Sequence, residues 1–224
     1  MTMTQDLESS EHSPFASPPL ASHDAPSADA RPPTALSPHC PVLLSENLVL
    51  RAPHAEDIDA IAILADNPAV ATMLSRMPHP YNRTDARTFV EASAKRGNGN
   101  CVYAITDADS GRFFGCCSLE TAADGKSVEL GYWIGEPFWG RGIATEAVHA
   151  LIAMAFRTRD IDHIDARCRV TNPASRRVLQ KSGFQFQGTG MHAILSLNAS
   201  VSMEWFRLDR KTWMSLISWA NQQR

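Results

Sequence analysis

The sequence lacks any uninterrupted apolar run that approaches the roughly 18 residues needed to cross a membrane as a helix. It also lacks an excess of positive charge, because 21 lysine and arginine residues are outweighed by 24 aspartate and glutamate residues, for a formal net charge of −3. Nucleic-acid-binding domains carry clustered basic patches, and proteins of the membrane surface carry polybasic runs. The composition therefore predicts a protein that binds neither nucleic acid nor a membrane.

Cysteine is scarce, and its spacing shows no known pattern. The five cysteines include no C-x-x-C pair, and the N-terminus lacks the charged and then apolar segments of a secretory signal. We therefore predict reduced, small apolar side chains in a cytoplasmic protein, with Cys116 and Cys117 on opposite faces of one strand. The eight histidines show no H-x-x-x-H spacing, so no metal site is predicted.

Large apolar side chains are also few in residues 1–40, which are rich in Ser, Pro, Ala and His. Such a segment cannot bury enough apolar surface to offset the entropy lost on ordering, so we predict a disordered tail there. The hydrophobic periodicity begins after this segment. Residues 41–224 are therefore predicted to form one domain of ordinary size.

The pattern of that domain predicts an α/β fold. Three strands joined by hairpin-length turns, Cys101–Thr106, Arg112–Glu120 and Ser127–Ile134, indicate an antiparallel meander. A long helix, Gly142–Arg157, follows the third strand, and the next strand is Ile161–Val170. Because these last two strands are connected through a helix, we expect them to lie parallel to each other.

The segment Glu136–Glu146 joins the third strand to the long helix and contains two glycines, Gly140 and Gly142. Glycine permits backbone conformations that a Cβ obstructs and lets a ligand approach the main chain. The unpaired N–H groups at a helix start, together with the helix dipole, form an anion site, and Arg141 adds a cation. The turn is neither a P-loop nor a dinucleotide fingerprint. A pyrophosphate fits it, and a tight turn without a ligand is the alternative. The amides concerned are those of Gly142, Ile143, Ala144 and Thr145.

Four segments together resemble the GNAT acetyltransferases, and in particular their ribosomal-protein alanine acetyltransferase (RimJ/RimL-like) branch. Glu129–Ile134 resembles the fourth strand of that branch, and Trp139–Ala147 resembles its acetyl-CoA pyrophosphate loop. Asn172–Phe184 resembles its cofactor-contacting helix, and Leu48–Pro53 resembles its first strand. The resemblance extends over about residues 43–213, and the order and spacing of the segments make it specific.

The resemblance implies an α/β (α+β) domain of the GNAT fold, with a mixed, mostly antiparallel sheet of about seven strands flanked by helices. It implies that the fourth and fifth strands splay apart and that the pantetheine arm of acetyl-CoA lies between them, bonded to the main chain near Trp133 and Ile134. Trp139 departs from the Gln or Arg that is usual in the superfamily, but this branch often carries Trp there. The other residues implied to bind acetyl-CoA are Trp139, Gly140, Arg141, Gly142, Ile143, Ala144, Thr145, Asn172 and Arg176.

The reaction that the resemblance implies is direct attack of a neutral amine on the thioester. Glu129 is the candidate base, directly or through a water, and its alternative role is a solvated carboxylate or a salt bridge. Ser175 is the candidate proton donor to the thiolate, and its alternative role is to support the helix start. An N–H group near Ile134 is the expected donor to the oxyanion.

The acceptor amine is not encoded in any recognisable motif. An α-amine, with a pKa of about 8, is partly neutral at pH 7, whereas a lysine side chain at about 10.4 needs a stronger base. We therefore predict an acetyl-CoA-dependent N-acetyltransferase, monomeric or homodimeric, that acts on a protein N-terminus or a small-molecule amine. A catalytically silent acyl-CoA-binding sensor is the alternative. Pro78–Tyr81 and Thr189–Ser200 are expected to shape the acceptor site.

Overall fold

The structure is a computed structural model, and it describes residues 40–95, 100–122 and 125–222. The predicted tail, residues 1–40, lies outside the described residues except for Cys40. No helix within the described ranges is long and apolar enough to cross a membrane.

In the part of the chain that the structure describes, one sheet of eight strands forms the centre of the fold. The strands are β1 Leu43–Leu44, β2 Leu48–Arg51, β3 Cys101–Asp107, β4 Phe113–Thr121, β5 Ser127–Ile134, β6 His163–Arg169, β7 Gln185–Ile194 and β8 Ala199–Asp209. Their order across the sheet is β1-β2-β3-β4-β5-β6-β8-β7, and every neighbouring pair is antiparallel except β5 and β6. The expected mixed, mostly antiparallel sheet is confirmed, and the two-residue β1 brings the count to eight instead of about seven.

Among the described residues, six α-helices flank this sheet. They are α1 Ile58–Ala65, α2 Pro68–Ala71, α3 Arg83–Ala94, α4 Ile143–Thr158, α5 Pro173–Lys181 and α6 Arg210–Gln222, with short 3₁₀ turns at Ala55–Asp57, Glu136–Phe138 and Leu195–Leu197. The crossover through α4 makes β5 and β6 parallel, as predicted, with Ser127 opposite His163 and Leu130 opposite Ala166.

The two faces of the sheet have separate hydrophobic cores. On one face, α4 buries Val148 and Leu151 completely against strand residues such as Leu130. On the other face, Ile61 and Ala86 bring α1 and α3 against β3 and β4. Each fully buried Leu or Ile contributes about 1.5–3 kcal/mol relative to exposure. The adjacent Cys116 and Cys117 belong to different cores, which confirms the prediction that they point to opposite faces.

Two cysteines are joined in a disulfide, which the sequence did not predict. Cys40 is bonded to Cys101 at the start of β3, with Cα atoms 5.7 Å apart and a sequence separation of 61 residues. The prediction that all cysteines are unpaired is therefore wrong for this pair and correct for the buried free thiols Cys116, Cys117 and Cys168. The pairing escaped sequence reasoning because it depends on how the segment before β1 returns to the start of β3, two strands away in the sheet.

The disulfide predicts a difference in the number of titratable thiols. Because it leaves three free cysteines, the denatured, unreduced protein should show three thiols and the reduced protein five. Reduction should also lower the melting temperature, since closing a loop of this length stabilises a protein by up to about 4 kcal/mol. Alkylation and mass spectrometry of the denatured chain, with Cys40→Ser as the control, test both points. Five reactive thiols without reductant would contradict the pairing.

Candidate active site

The two parallel strands separate along their length. β5 and β6 are in register from Ser127 and His163 to Leu130 and Ala166, although β5 continues to Ile134. Beyond this point the two strands leave a space that we call the β5–β6 gap. The expected splay of the fourth and fifth main strands is therefore present.

The ladder between β4 and β5 decides which peptide groups of β5 face the gap. Gly135 N–H donates to Phe114 O at 2.8 Å, which marks that pair as hydrogen-bonded in the antiparallel register. Hydrogen-bonded and non-bonded pairs alternate, so the N–H and C=O groups of Tyr132 and Ile134 point away from β4 and into the gap. Those of Trp133 face β4. Of the two residues predicted to bond the pantetheine arm, Ile134 therefore directs its peptide groups into the gap, as Tyr132 does, and Trp133 does not.

The opposite wall of the gap is formed by β6. Val170 N–H donates to Ser202 O at 3.2 Å, so by the same alternation the peptide groups of Arg167 and Arg169 face β5. The carbonyl of Arg169 accepts from Asn172 N–H at 2.8 Å, which leads the chain into α5. The gap is therefore a slot lined on both sides by main-chain hydrogen-bonding groups.

The turn between β5 and α4 is open around its two glycines. Gly140 and Gly142 have φ angles of 76° and 81°, and a Cβ added to either would meet no atom within 4 Å. Gly142 is the N-cap of α4, and Glu146 N–H donates to Gly142 O at 3.0 Å. The preceding amides have no intrahelical acceptor, and with the dipole of this 16-residue helix they favour an anion. These amides belong to Ile143, Ala144 and Thr145.

The side chains of the turn hold it in place. Trp139 Nε1 donates to Ile134 O at 2.6 Å, so this indole ties the turn to the end of β5 while remaining 48% exposed. The guanidinium of Arg141 lies 5.7 Å from the centre of the Phe138 ring. The predicted loop residues Trp139 and Arg141 thus connect the anion site to the gap and to the core.

A cleft of about 570 Å³ adjoins the anion site along the first turns of α4. Glu146 lines this cleft, but its carboxylate is already hydrogen-bonded, because it accepts from Asn47 N–H at 2.7 Å and from Asn47 Nδ2 at 3.1 Å. Lys181 at the end of α5 supplies a cation to the wall of the cleft. The residues lining the cleft are Leu44, Ser45, Glu46, Gly142, Thr145, Glu146, His149, Ala150 and Lys181.

Helix α5 begins beside the gap. Asn172 caps it, with Oδ1 accepting from Ser175 N–H at 3.0 Å, and Pro173 occupies the first helical position. Ser175 is half-buried, and its Oγ lies 2.8 Å from the phenol oxygen of Tyr132. The predicted pair Asn172 and Ser175 is therefore brought to the gap on the face that carries α4 and α5.

Arg176 faces away from this group. Its Nε donates to Glu204 Oε2 at 2.7 Å and its Nη2 donates to Val170 O at 3.0 Å. These bonds join α5 to β8 and to the end of β6. Arg176 therefore anchors α5, and its predicted contact with a coenzyme A phosphate stays a prediction.

Glu129 lies on β5 but on the other face of the sheet, because side chains alternate along a strand. Its Oε2 accepts from Arg167 Nη2 at 2.7 Å, and its side chain is 42% exposed. Burial raises the pKa of the Glu129 carboxyl; Arg167 opposes the increase, Glu120 adds to it, and the net pKa is above its ordinary value. A carboxylate with a raised pKa is a better proton acceptor near neutral pH than an ordinary one.

A short segment after α2 crosses the sheet on the Glu129 face. Arg169 Nη1 donates to Thr72 O at 2.7 Å, and Arg76 Nη1 donates to Glu120 Oε2 at 2.9 Å. Leu195 N–H, in the connection between β7 and β8, donates to Ser75 O at 2.9 Å. The predicted acceptor segment Thr189–Ser200 therefore meets residues 72–76 beside the gap.

These features coincide with those of a known family. The sequence model of one protein family, the acetyltransferase (GNAT) domain, matches residues 47–185, which is more than half of the chain. The chain belongs to the GNAT acetyltransferase family. Membership confirms the predicted activity class, an acetyl-CoA-dependent acetyltransferase, and the matched range includes the gap, the anion turn and α5.

Relatives and solved GNAT structures agree with this. The chain is 27% identical over 149 residues to the uncharacterized N-acetyltransferase p20 of Bacillus licheniformis, which covers 65% of this chain and 83% of that protein. It is 36% identical over 63 residues to the ribosomal-protein-serine acetyltransferase of Escherichia coli (strain K12), over 28% of this chain and 35% of that protein. A solved structure of RimL, a ribosomal L7/L12 alpha-N-protein acetyltransferase in complex with coenzyme A, has the same fold, with 24% identity, a TM-score of 0.66, and coverage of 75% and 98%.

One side chain that reaches the gap was not predicted from the sequence. Tyr132 shares a strand face with the aliphatic Leu130 and Ile134, and no role was predicted for its side chain. A buried tyrosine hydroxyl needs a hydrogen-bond partner, and this requirement was the available signal. The metal prediction concerned the whole chain; within residues 40–95, 100–122 and 125–222, no group of three or more His, Cys, Asp or Glu side chains is arranged to hold a metal ion.

Changing Gly142 to aspartate should weaken coenzyme A binding without unfolding this GNAT domain. Aspartate is a good N-cap and tolerates the left-handed conformation, but its carboxylate would repel a diphosphate. Two like charges 4 Å apart repel by about 4 kcal/mol near a protein surface, so we expect Kd to rise at least tenfold. Calorimetry with coenzyme A measures this.

Gly111→Asp is the matched control for this test. Gly111 has φ 70° and equally open surroundings, but it lies in the turn between β3 and β4. It should bind coenzyme A as the unmodified protein does. Equal affinities of the two variants for coenzyme A would show that the turn is not an anion site.

Proposed function

We propose that this GNAT protein transfers the acetyl group of acetyl-CoA to the α-amine of a peptide N-terminus. The observation that carries the proposal is the placement of Glu129 and Ser175. They lie on opposite faces of the sheet, on either side of the point where β5 and β6 separate. Direct acyl transfer needs a proton acceptor on the amine side and a hydrogen-bond donor on the thiolate side, and this arrangement supplies both.

The residues of the turn and the gap fit acetyl-CoA. The open amides of Ile143, Ala144 and Thr145 would hold the diphosphate, assisted by Arg141. The N–H and C=O groups of Tyr132 would bond the pantetheine arm, which would give them the partners that they lack from β6. Bound in this way, acetyl-CoA supplies an acetyl thioester whose carbonyl carbon the acceptor amine attacks.

Glu129 would accept the proton of the attacking amine. Its carboxylate is held by Arg167 and remains partly exposed, so water or an acceptor can reach it. The N–H of Ile134 faces the gap and would donate to the carbonyl oxygen as negative charge develops on it. Ser175 would donate from the other side to the departing sulfur.

The acceptor follows from the strength of this base. A carboxylate that shares its charge with Arg167 is a modest base, and an α-amine with a pKa of about 8 needs less help than a lysine at about 10.4. Two relatives that carry protein acceptors in their names, the ribosomal-protein-serine acetyltransferase and RimL, support the same acceptor class. The exposed indole of Trp205, opposite Arg167 in the sheet, offers an apolar surface beside the base for the first side chain of a peptide.

The acceptor class is tested by the release of coenzyme A with two matched peptides. One has a free N-terminus and no lysine, and the other has a blocked N-terminus and one lysine. The free N-terminus should be acetylated, and mass spectrometry should locate the acetyl group there. Transfer only to free polyamines or amino acids would show that the acceptor is a small molecule and not a peptide. Tight coenzyme A binding without transfer to any amine would instead favour a sensor.

Substituting Glu129 by glutamine should lower kcat/KM by about 100-fold or more, because general-base catalysis contributes a factor of that order. The affinity for coenzyme A should not change, since Glu129 lies on the opposite face. Asp165→Asn is the matched control, because Asp165 is the register partner of Glu129 but its carboxylate bonds Arg207 on β8. Equal values of kcat/KM for the two variants would show that Glu129 is not the base.

The pH dependence offers a second test of the same residue. As the base, Glu129 must be deprotonated, so activity is lost as the pH falls through its raised pKa. Arg167 lowers the pKa of Glu129, so Arg167→Gln should shift the acidic limb of the kcat profile to higher pH. Ionisation of the acceptor amine is common to both enzymes and cancels in the comparison. A limb that stays in place or moves to lower pH would contradict the assignment.

A further inference from the structure

Tyr132 bridges the β5–β6 gap. It starts from β5, and its phenol oxygen lies 2.8 Å from Ser175 Oγ and 3.3 Å from Ser175 O, at the start of α5. Hydroxyl-to-oxygen hydrogen bonds are usually 2.5–3.0 Å long, so the contact with Oγ is the stronger one. Tyr132 is therefore the residue through which β5 contacts the hydroxyl that the proposed function assigns to the thiolate.

Either hydroxyl can donate in this hydrogen bond, because each carries one proton. Burial raises the pKa of the Tyr132 phenol well above its ordinary value, although its bond with Ser175 opposes this, so the phenol is neutral and carries one proton. If that proton is donated to Ser175 Oγ, the hydroxyl proton of Ser175 is free to point elsewhere. The backbone of Ser175 is fixed by its N–H bond to Asn172 Oδ1, so the freed proton is directed from a fixed position.

The ionisable groups around the pair are neutral or already paired with another residue. Cys168 faces it from β6, and burial raises the pKa of its thiol to about 11, so that thiol is neutral at physiological pH. Glu204 on β8 is occupied by Arg176 of α5, at 2.7 Å. The Cys168 thiol is thus a second, neutral hydrogen-bonding partner of Ser175 beside Tyr132.

We propose that Tyr132 is a positioning residue for acetyl transfer, whose phenol donates to Ser175 Oγ and thereby directs the Ser175 hydroxyl proton toward the thioester sulfur. The inference rests on the proposed function, because it needs a thiolate leaving group beside Ser175. No covalent bond to the protein forms. A serine hydroxyl gives up its proton far less readily than a thiol of pKa about 8.5, so Ser175 stabilises the thiolate by donating a hydrogen bond, and solvent protonates the sulfur later. Donation from Tyr132 polarises Ser175 and strengthens that bond.

The test is a double-mutant cycle of Tyr132→Phe and Ser175→Ala. Removing one neutral hydrogen bond should lower kcat by roughly three- to tenfold in Tyr132→Phe, with the KM for acetyl-CoA unchanged, since the ring is retained. If Tyr132 acts through Ser175, the same substitution should have no further effect in the Ser175→Ala background. Equal losses in both backgrounds would overturn the proposal.

Tyr103→Phe is the matched control for loss of a buried hydroxyl. Tyr103 belongs to the same core, and its hydroxyl is buried without a hydrogen-bond partner among the described residues. Its removal should leave kcat unchanged. If Tyr103→Phe lowered kcat as much as Tyr132→Phe does, the effect would be one of packing and the proposal would be wrong.

A second readout needs no turnover. The thiol of free coenzyme A bound in the gap is titrated by the ultraviolet absorbance of its thiolate. Donation from Ser175 favours the thiolate, so the pKa of the bound thiol should be higher in Tyr132→Phe than in the unmodified protein. The pKa in Ser175→Ala should also be raised, and it should equal the pKa in the double variant, because Tyr132 acts only through Ser175. An unchanged thiol pKa in Tyr132→Phe would overturn the proposal. If the protein transferred acetyl to no amine, the proposed function would fail, and this titration would still decide the role of Tyr132.

Discussion

The separation of β5 and β6 after Leu130 and Ala166 is the constraint on which the rest of the structure depends. A strand that leaves its neighbour exposes peptide groups that must find other partners, since unpaired buried N–H and C=O groups are costly. On β5 these are the groups of Tyr132 and Ile134. Part of the need is met within the protein, where Trp139 Nε1 donates to Ile134 O, and the remainder defines the place of an extended, amide-containing ligand. The slot thus results from the geometry of the sheet itself and does not need a ligand to form.

The separated strands also divide the chemistry between the two faces of the sheet. On the face of α4 and α5, Ser175 and Tyr132 form a neutral, half-buried hydroxyl pair. On the opposite face, Glu129 and Arg167 form a partly exposed ion pair. A donor of hydrogen bonds to sulfur benefits from a dry, uncharged setting, whereas an acceptor of amine protons needs charge and access to solvent. Alternation of side chains along β5 is sufficient to produce this division.

Elements at some distance keep the slot at a fixed width. The pair Arg176 and Glu204 ties α5 to β8, and the bond from Arg169 to Thr72 O ties β6 to the segment after α2. The disulfide between Cys40 and Cys101 joins the segment before β1 to the start of β3. These contacts restrict the elements whose relative position decides whether the donors and acceptors in the gap can serve one ligand.

The sequence by itself determined the local features. Hydrophobic periodicity and turn residues gave the meander, the α4 crossover and the parallel pairing of β5 and β6, and the glycines of the Gly140–Gly142 turn indicated an anion site, because each depends on neighbours along the chain. The motifs also indicated the family and led to the prediction of Asn172 and Ser175 as site residues. Only the tertiary structure decided that Tyr132 reaches Ser175, that Arg176 is held by Glu204, and that Cys40 meets Cys101. These are contacts between residues 28 to 61 positions apart, and their formation depends on how elements pack, which periodicity along the chain does not encode.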